Sequence, residues 1–283
     1  MGSILIPVGV LGAMGVIFAA LLGVASQVFY VEVDETESNV RAELPGANCG
    51  ACGFPGCDGY AKAVAEGKAP VNLCAVGGPA VATKLGEVMG VDPGENKRMV
   101  ATVHCNGSYD NTEVLFEYEG KNDCRIIKNL GGGSCKACQY GCQGCGTCVE
   151  QCEYDAIHVV NGVAVVDESK CVACKKCIKV CPQGIIHLTP YGQKTFVRCS
   201  SYAFGKKAKD DCKVGCIGCS LCTKLAPASF EMDGKLAKAI YSDDFDLEAV
   251  KKAAEKCPAQ CIVITDENSA PVVKIAEESV KAE

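Results

Sequence analysis

The sequence predicts an α+β chain in which a long apolar helix precedes a string of small, cysteine-built units. Three observations carry this reading. No charged side chain occurs from Met1 to Val31. Cysteine accounts for 23 of 283 residues, about 8% and near the level that marks a cysteine-dominated scaffold. Most of these cysteines recur at x2 and x3 spacings, too close for every neighbour to pair, and their number is odd. Metal-binding thiolates are therefore favoured over a disulfide framework. Apolar residues make up 48%, which excludes wholesale disorder. A net charge of −6 argues against nucleic-acid binding.

Residues 1–31 predict an uncleaved transmembrane anchor. Ile4 to Tyr30 is apolar and, as a helix, long enough to cross a bilayer core of about 30 Å. A signal peptide would carry a basic n-region and an apolar core of about 7–15 residues; only Val24-Ala25-Ser26 resembles its cleavage site. A buried core helix would be shorter and less uniform. Gly15, Ala19 and Gly23 share one helix face, a spacing that lets helices approach in lipid or simply reflects the small-residue content of a span. Arg41 is the first basic residue, so flanking charge does not set orientation. Metal-site thiolates need a reducing compartment, which places the bulk of the chain on the cytoplasmic side. An acidic linker, 32–47, follows.

The unit at 48–98 carries Cys49-x2-Cys52-x4-Cys57 and then Cys74. Gly50, Gly53 and Gly56 let the backbone bend closely around an inorganic core and aim N–H groups at its sulfurs. Four thiolates would also suit zinc. A short amphipathic helix is expected over 59–67.

The unit at 135–190 settles the metal. Cys142, Cys145, Cys148 and Cys152 form C-x2-C-x2-C-x3-C, and Cys171, Cys174, Cys177 and Cys181 repeat it before Pro182. This is the two-cluster bacterial ferredoxin pattern, in which each fourth cysteine serves the other cluster. Cys142, Cys145 and Cys148 thus join Cys181, while Cys171, Cys174 and Cys177 join Cys152. Glu153 stands where a proline usually follows. Asn161-Gly162 between two β-branched runs signals a hairpin. At 191–265, Cys216, Cys219 and Cys222 lack a local fourth cysteine, Ala226 taking its place, and Cys257-Pro258 supplies a remote one. That stretch reads as a single-cluster ferredoxin-like unit with a hairpin at Asp233-Gly234 and a helix from Leu247 to Ala254. A charged tail occupies 266–283.

Seven cysteines remain. Val103-His104-Cys105 and Asp123-Cys124 echo Val197-Arg198-Cys199 and Asp211-Cys212, so Cys105, Cys124, Cys199 and Cys212 are candidate ligands of a fifth cluster, with 99–134 as a connecting region. Cys138 is a rival, because Cys138-x3-Cys142 matches Cys212-x3-Cys216. The other reading is free, buried thiols. No catalytic triad, phosphate loop or dinucleotide fingerprint stands out, so no catalytic residue is assigned. From Lys170 to Lys213 there are ten basic and two acidic side chains. Lys175, Lys176 and Lys179 within this stretch are candidate docking residues for an acidic partner, with the Cys216–Cys257 unit as the other candidate face.

An apolar helix, then Asn48-Cys49-Gly50-Ala51-Cys52-Gly53-Phe54-Pro55-Gly56-Cys57, Cys74 and tandem ferredoxin motifs resemble the B subunit of the Rnf complex, the ion-translocating ferredoxin:NAD oxidoreductase, in a long version with an extra ferredoxin-like unit. Cys138-Gln139-Tyr140-Gly141-Cys142 resembles the family too. There the position of Cys145 is often not cysteine, which leaves Cys138 and Cys145 as alternative ligands. The resemblance implies 4Fe–4S clusters, four with a possible fifth. It also implies reduced ferredoxin as donor, flavin- and NAD-binding membrane subunits as acceptors, and a single-pass place in the cytoplasmic membrane. The alternatives are a membrane-tethered carrier for another reductase and a zinc-stabilised scaffold.

Overall fold

The computed structural model describes residues 2–28, 34–95, 97–130, 132–241 and 246–265; the expected charged tail at 266–283 lies outside them. Among the described residues the strands form four separate antiparallel pairs rather than one sheet. The fold is mixed α and β, built from small units.

Helix α1 (Gly2–Val28) is the long apolar helix. Its side chains are described only from Leu11 to Ser26, a stretch shorter than the roughly 20 residues of a crossing. Among the described residues no helix is long and apolar enough to cross a membrane, so the transmembrane expectation for 1–31 gains no support from the fold.

The first thiol unit is helical. It comprises α2 (Glu35–Glu43), α3 (Cys57–Ala65) and α4 (Gly78–Met89) around a core of Val40, Leu44, Tyr60, Val64, Val71 and Leu85. The helix expected at 59–67 begins two residues earlier because the Asn48 side chain accepts the Cys57 N–H at 2.8 Å, capping it. Gly56 makes this approach possible. Its φ is +108°, and a Cβ there would sit 3.0 Å from Asn48 Oδ1. The buried Tyr60 hydroxyl donates to the Pro70 carbonyl at 2.7 Å and accepts the Leu73 N–H at 3.1 Å, pinning the segment that carries Cys74 against α3.

The central unit runs through β1 (Met99–Val103), α5 (Cys124–Lys128), α6 (Thr147–Glu150), β2 (Ile157–Val160), β3 (Val163–Val166), α7 (Lys176–Val180) and β4 (Ile186–Pro190). The β2–β3 hairpin turns at Asn161-Gly162, both at positive φ, the geometry that this dipeptide favours. Strand β1 pairs with β4, from Met99 opposite Pro190 to Val103 opposite Ile186, so residues 99–103 pack into this unit's core of Val100, Val103, Ile157, Val163 and Ile186.

The C-terminal unit comprises β5 (Thr195–Val197), α8 (Gly205–Asp211), α9 (Leu221–Leu225), β6 (Phe230–Asp233), β7 (Leu236–Ala239), α10 (Leu247–Glu255) and β8 (Ile262–Ile264). Strand β5 pairs with β8 and β6 with β7, over a core of Val197, Phe230, Leu236, Val250 and Ile262. Polar contacts join it to the central unit. Arg198 donates to the Val103 carbonyl at 3.2 Å and Ser200 Oγ to the His104 carbonyl at 2.8 Å.

Tyr60→Phe removes both hydroxyl contacts in the first unit and should cost about 1–2 kcal/mol. Urea unfolding followed by far-UV circular dichroism should show a lower midpoint for that unit; an unchanged midpoint would mean that the hydroxyl does not pin the Cys74 segment.

Candidate metal centres

Each C-x2-C-x2-C loop turns through left-handed backbone on both sides of its middle cysteine. The residues are Gly144 and Gly146, Ala173 and Lys175, and Gly218 and Ser220. Side chains other than glycine rarely hold this conformation, and three of the six do so here. In the second and third loops all three thiols line one cavity.

Four cavities of about 350 to 410 Å³, mouths included, are lined by cysteines. Cys152, Cys171, Cys174 and Cys177 line one. Cys216, Cys219, Cys222 and Cys257 line another, together with Cys261. Cys124, Cys142, Cys148 and Cys181 line a third, and Cys105, Cys138, Cys199 and Cys212 a fourth. In the first unit burial pushes the Cys74 thiol up, and the nearby Cys57, Cys49 and Cys52 add to it.

Two of these cavities are lined differently from the sets expected from sequence. Cys145 does not line the cavity of Cys142, Cys148 and Cys181; Cys124 does. The Cys124 N–H donates to Thr147 Oγ1 at 2.8 Å, docking the start of α5 onto α6 and delivering its thiol. Cys145 packs instead against Cys124, Ile127 and Cys135. It shares a hydrogen bond with Cys124 that lowers the Cys124 thiol to about 5 and raises that of Cys145. In the fourth cavity Cys138 stands where the Asp-Cys echo places Cys124. Cys261, unassigned from sequence, has its Sγ 3.7 Å from that of Cys257.

The donor set fits iron–sulfur clusters. Backbone N–H groups point at sulfur in several places, as from Ala101 to Cys171 (3.3 Å), Ala156 to Cys152 (3.4 Å) and Ala164 to Cys142 (3.4 Å). Thiolate sulfur takes such bonds well, and they help set cluster potentials. Burial pushes the Cys148 and Cys177 thiols up to about 12, so a bound metal must supply the charge that deprotonates them. Among the described residues no group of three or more His, Cys, Asp or Glu is gathered to hold a single metal ion.

The three candidate docking lysines divide. Lys175 donates to the Ala51 carbonyl at 2.8 Å, tying the central unit to the Cys49–Cys57 loop. Lys176 pairs with Glu153, which gives that departure from the ferredoxin pattern a partner. Lys179 is exposed.

These features define a multi-cluster, ferredoxin-type electron-transfer protein. The FeS family model, of an Fe-S cluster, matches residues 44–76. A 4Fe-4S dicluster domain model matches 141–185, and one of the 4Fe-4S single cluster domain of Ferredoxin I matches 211–264. The chain is 39% identical to the B subunit of the Na(+)-translocating ferredoxin:NAD(+) oxidoreductase complex of Acetobacterium woodii, over 93% of this chain and 78% of that protein. It is 36% identical to the B subunit of the ion-translocating oxidoreductase complex of Methanosarcina acetivorans, over 93% and 97%. It is 37% identical to the B subunit of the proton-translocating ferredoxin:NAD(+) oxidoreductase complex of Clostridium ljungdahlii, over 76% of each. The chain belongs to the family of B subunits of ion-translocating (Rnf) oxidoreductase complexes, and its role is that of an electron-transfer subunit with 4Fe–4S clusters.

Cys145→Ser should leave the iron content of anaerobically prepared protein unchanged, whereas Cys124→Ser should lower it by one cluster. The opposite pair of results would restore the ligand set drawn from spacing.

Proposed function

We propose that the chain takes electrons from reduced ferredoxin at its C-terminal unit and delivers them from its first unit to flavin- and NAD-binding membrane subunits. Bound 4Fe–4S clusters supply the one-electron carriers. Cys49, Cys52, Cys57 and Cys74 would hold one, Cys124, Cys142, Cys148 and Cys181 a second, Cys152, Cys171, Cys174 and Cys177 a third, and Cys216, Cys219, Cys222 and Cys257 a fourth.

The observation that carries this reading is the contiguity of the sites. Cys177 and Cys181 are near enough to Cys148 to raise its thiol further, so the two central sites adjoin. Cys49 acts likewise on Cys174, across the interface that Lys175 and Ala51 hold. The first unit also lies next in sequence to α1. Between Leu11 and Val24 that helix exposes Leu11, Val16, Ile17, Phe18, Leu21, Leu22 and Val24. The uncharged run from Met1 to Val31 is the ground for a single-pass anchor beside the membrane subunits, and the need of metal-site thiolates for a reducing compartment is the ground for a cytoplasmic position of the thiol units.

At the far end Cys219 is exposed while the other cysteines are buried or half-buried. Exposed Lys224 and Lys235 lie on α9 and in the β6–β7 turn of the same unit. Phe204, also exposed, packs beside Gly218 and under Lys235 Nζ. This face offers basic and aromatic contacts around an accessible site, as an acidic redox partner requires. Lys175 and Lys176 are already engaged within the chain and are poor candidates for that role.

Reversing Lys224 and Lys235 to Glu should slow reduction by ferredoxin roughly tenfold at low ionic strength, with the difference shrinking as salt rises. Stopped-flow reduction at two salt concentrations reads this out. A rate unmoved by the double reversal but lowered by Lys179→Glu would put docking on the central unit.

A further inference from the structure

We propose that Cys105, Cys138, Cys199 and Cys212 hold a further 4Fe–4S cluster, at the junction of the central and C-terminal units. Three of these four thiols lie outside every matched family model.

The site is built from two copies of one local arrangement. Val103-His104-Cys105 corresponds to Val197-Arg198-Cys199, and Cys138-x3-Cys142 to Cys212-x3-Cys216. The hydrogen bonds repeat as well. Cys105 Sγ accepts the N–H groups of Gly107 and Cys142, each at 3.3 Å. Cys199 Sγ accepts those of Ser201 at 3.4 Å and Cys216 at 3.3 Å. A neutral thiol is a weak acceptor, and two converging N–H donors per sulfur suit a thiolate. Each unit therefore supplies half of a four-thiolate set, and all four sulfur-bearing residues line one cavity.

Charge gives an independent argument. Lys136 lies on the wall of this cavity and is 2% exposed. Its Nζ donates to the carbonyls of Gly107 at 2.8 Å and Gly162 at 2.6 Å. Arg198 lines the same cavity and spends its hydrogen bond on the Val103 carbonyl. Among the described residues neither forms an ion pair with a carboxylate. A buried cation without a counter-charge is costly. A cluster with four thiolate ligands carries net negative charge and supplies it, while the cations in turn favour its reduced state.

The location gives the site its role, and only that role rests on the relay reading above. Cys142 and Cys216 belong to the neighbouring sites on either side, and each N–H donates to a sulfur of this one. An electron arriving from the Cys216–Cys257 site would reduce the cluster by one unit and leave toward the Cys142–Cys181 site, with no bond made or broken.

The test uses the full chain, prepared anaerobically, with iron, acid-labile sulfide and zinc measured per chain and the reduced protein examined by electron paramagnetic resonance. Cys138→Ser and Cys212→Ser should each lose one cluster in five and keep the signals of the rest. Unchanged iron and sulfide in both variants, or zinc in the parent chain at one equivalent, would overturn the proposal. Lys136→Met should keep all the iron and lower the midpoint potential of one cluster, which loss of packing alone would not do. A variant with no potential moved would also count against it. If Cys138→Ser lost the cluster yet ferredoxin still reduced the central unit at the parent rate, the site would stand and the relay order would fall.

Discussion

The structure is governed by the need to bring four thiolates from separate turns of chain onto one small inorganic core. That requirement explains features that packing alone would not select. Ala173, Lys175 and Ser220 sit in left-handed backbone, a conformation that helices and strands never need from such residues. Asn48 and Thr147 spend their side chains on the N–H groups of Cys57 and Cys124, and so fix where two cysteine-bearing helices begin. Even the apolar cores are arranged around sulfur: cysteines are part of the hydrophobic clusters of the first, central and C-terminal units.

A row of anionic centres within one chain creates a second constraint, the distribution of positive charge. The lysine-rich stretch from Lys170 to Lys213 looks from sequence like a face for a partner. In the fold part of it turns inward. Lys175 reaches the Cys49–Cys57 loop, Lys176 meets Glu153, and Arg198 lies with Lys136 at the junction cavity. Part of this basic charge thus ties units of the chain together, while Lys224 and Lys235 stay exposed in the C-terminal unit.

The hairpin at Asn161-Gly162 is readable because short-range geometry determines it, and the cavities at Cys152 with the Cys171–Cys177 loop and at Cys257 with the Cys216–Cys222 loop have linings that match the sets expected from spacing. Spacing says nothing of thiols that tertiary packing brings to a cavity. Cys124 lines the cavity of Cys142, Cys148 and Cys181 because α5 docks on Thr147, a contact that no spacing rule contains. The junction site is half legible. Its repeat pairs Cys138 with Cys212, but the Asp-Cys dipeptides point to Cys124. Strand β1 cannot be read as part of the central unit, since its partner β4 lies more than eighty residues on, at Ile186–Pro190.

The central claim is that the thiols of this chain surround five cluster cores running from the Cys216–Cys257 site to the Cys49–Cys74 site. Anomalous scattering at the iron edge from crystals of the anaerobic protein tests it most directly. The account predicts five compact iron peaks, one within each set of four cysteines, with Cys124 rather than Cys145 at the central site and Cys138 at the junction. A map with no iron at the junction, or with Cys145 bound in place of Cys124, would contradict it.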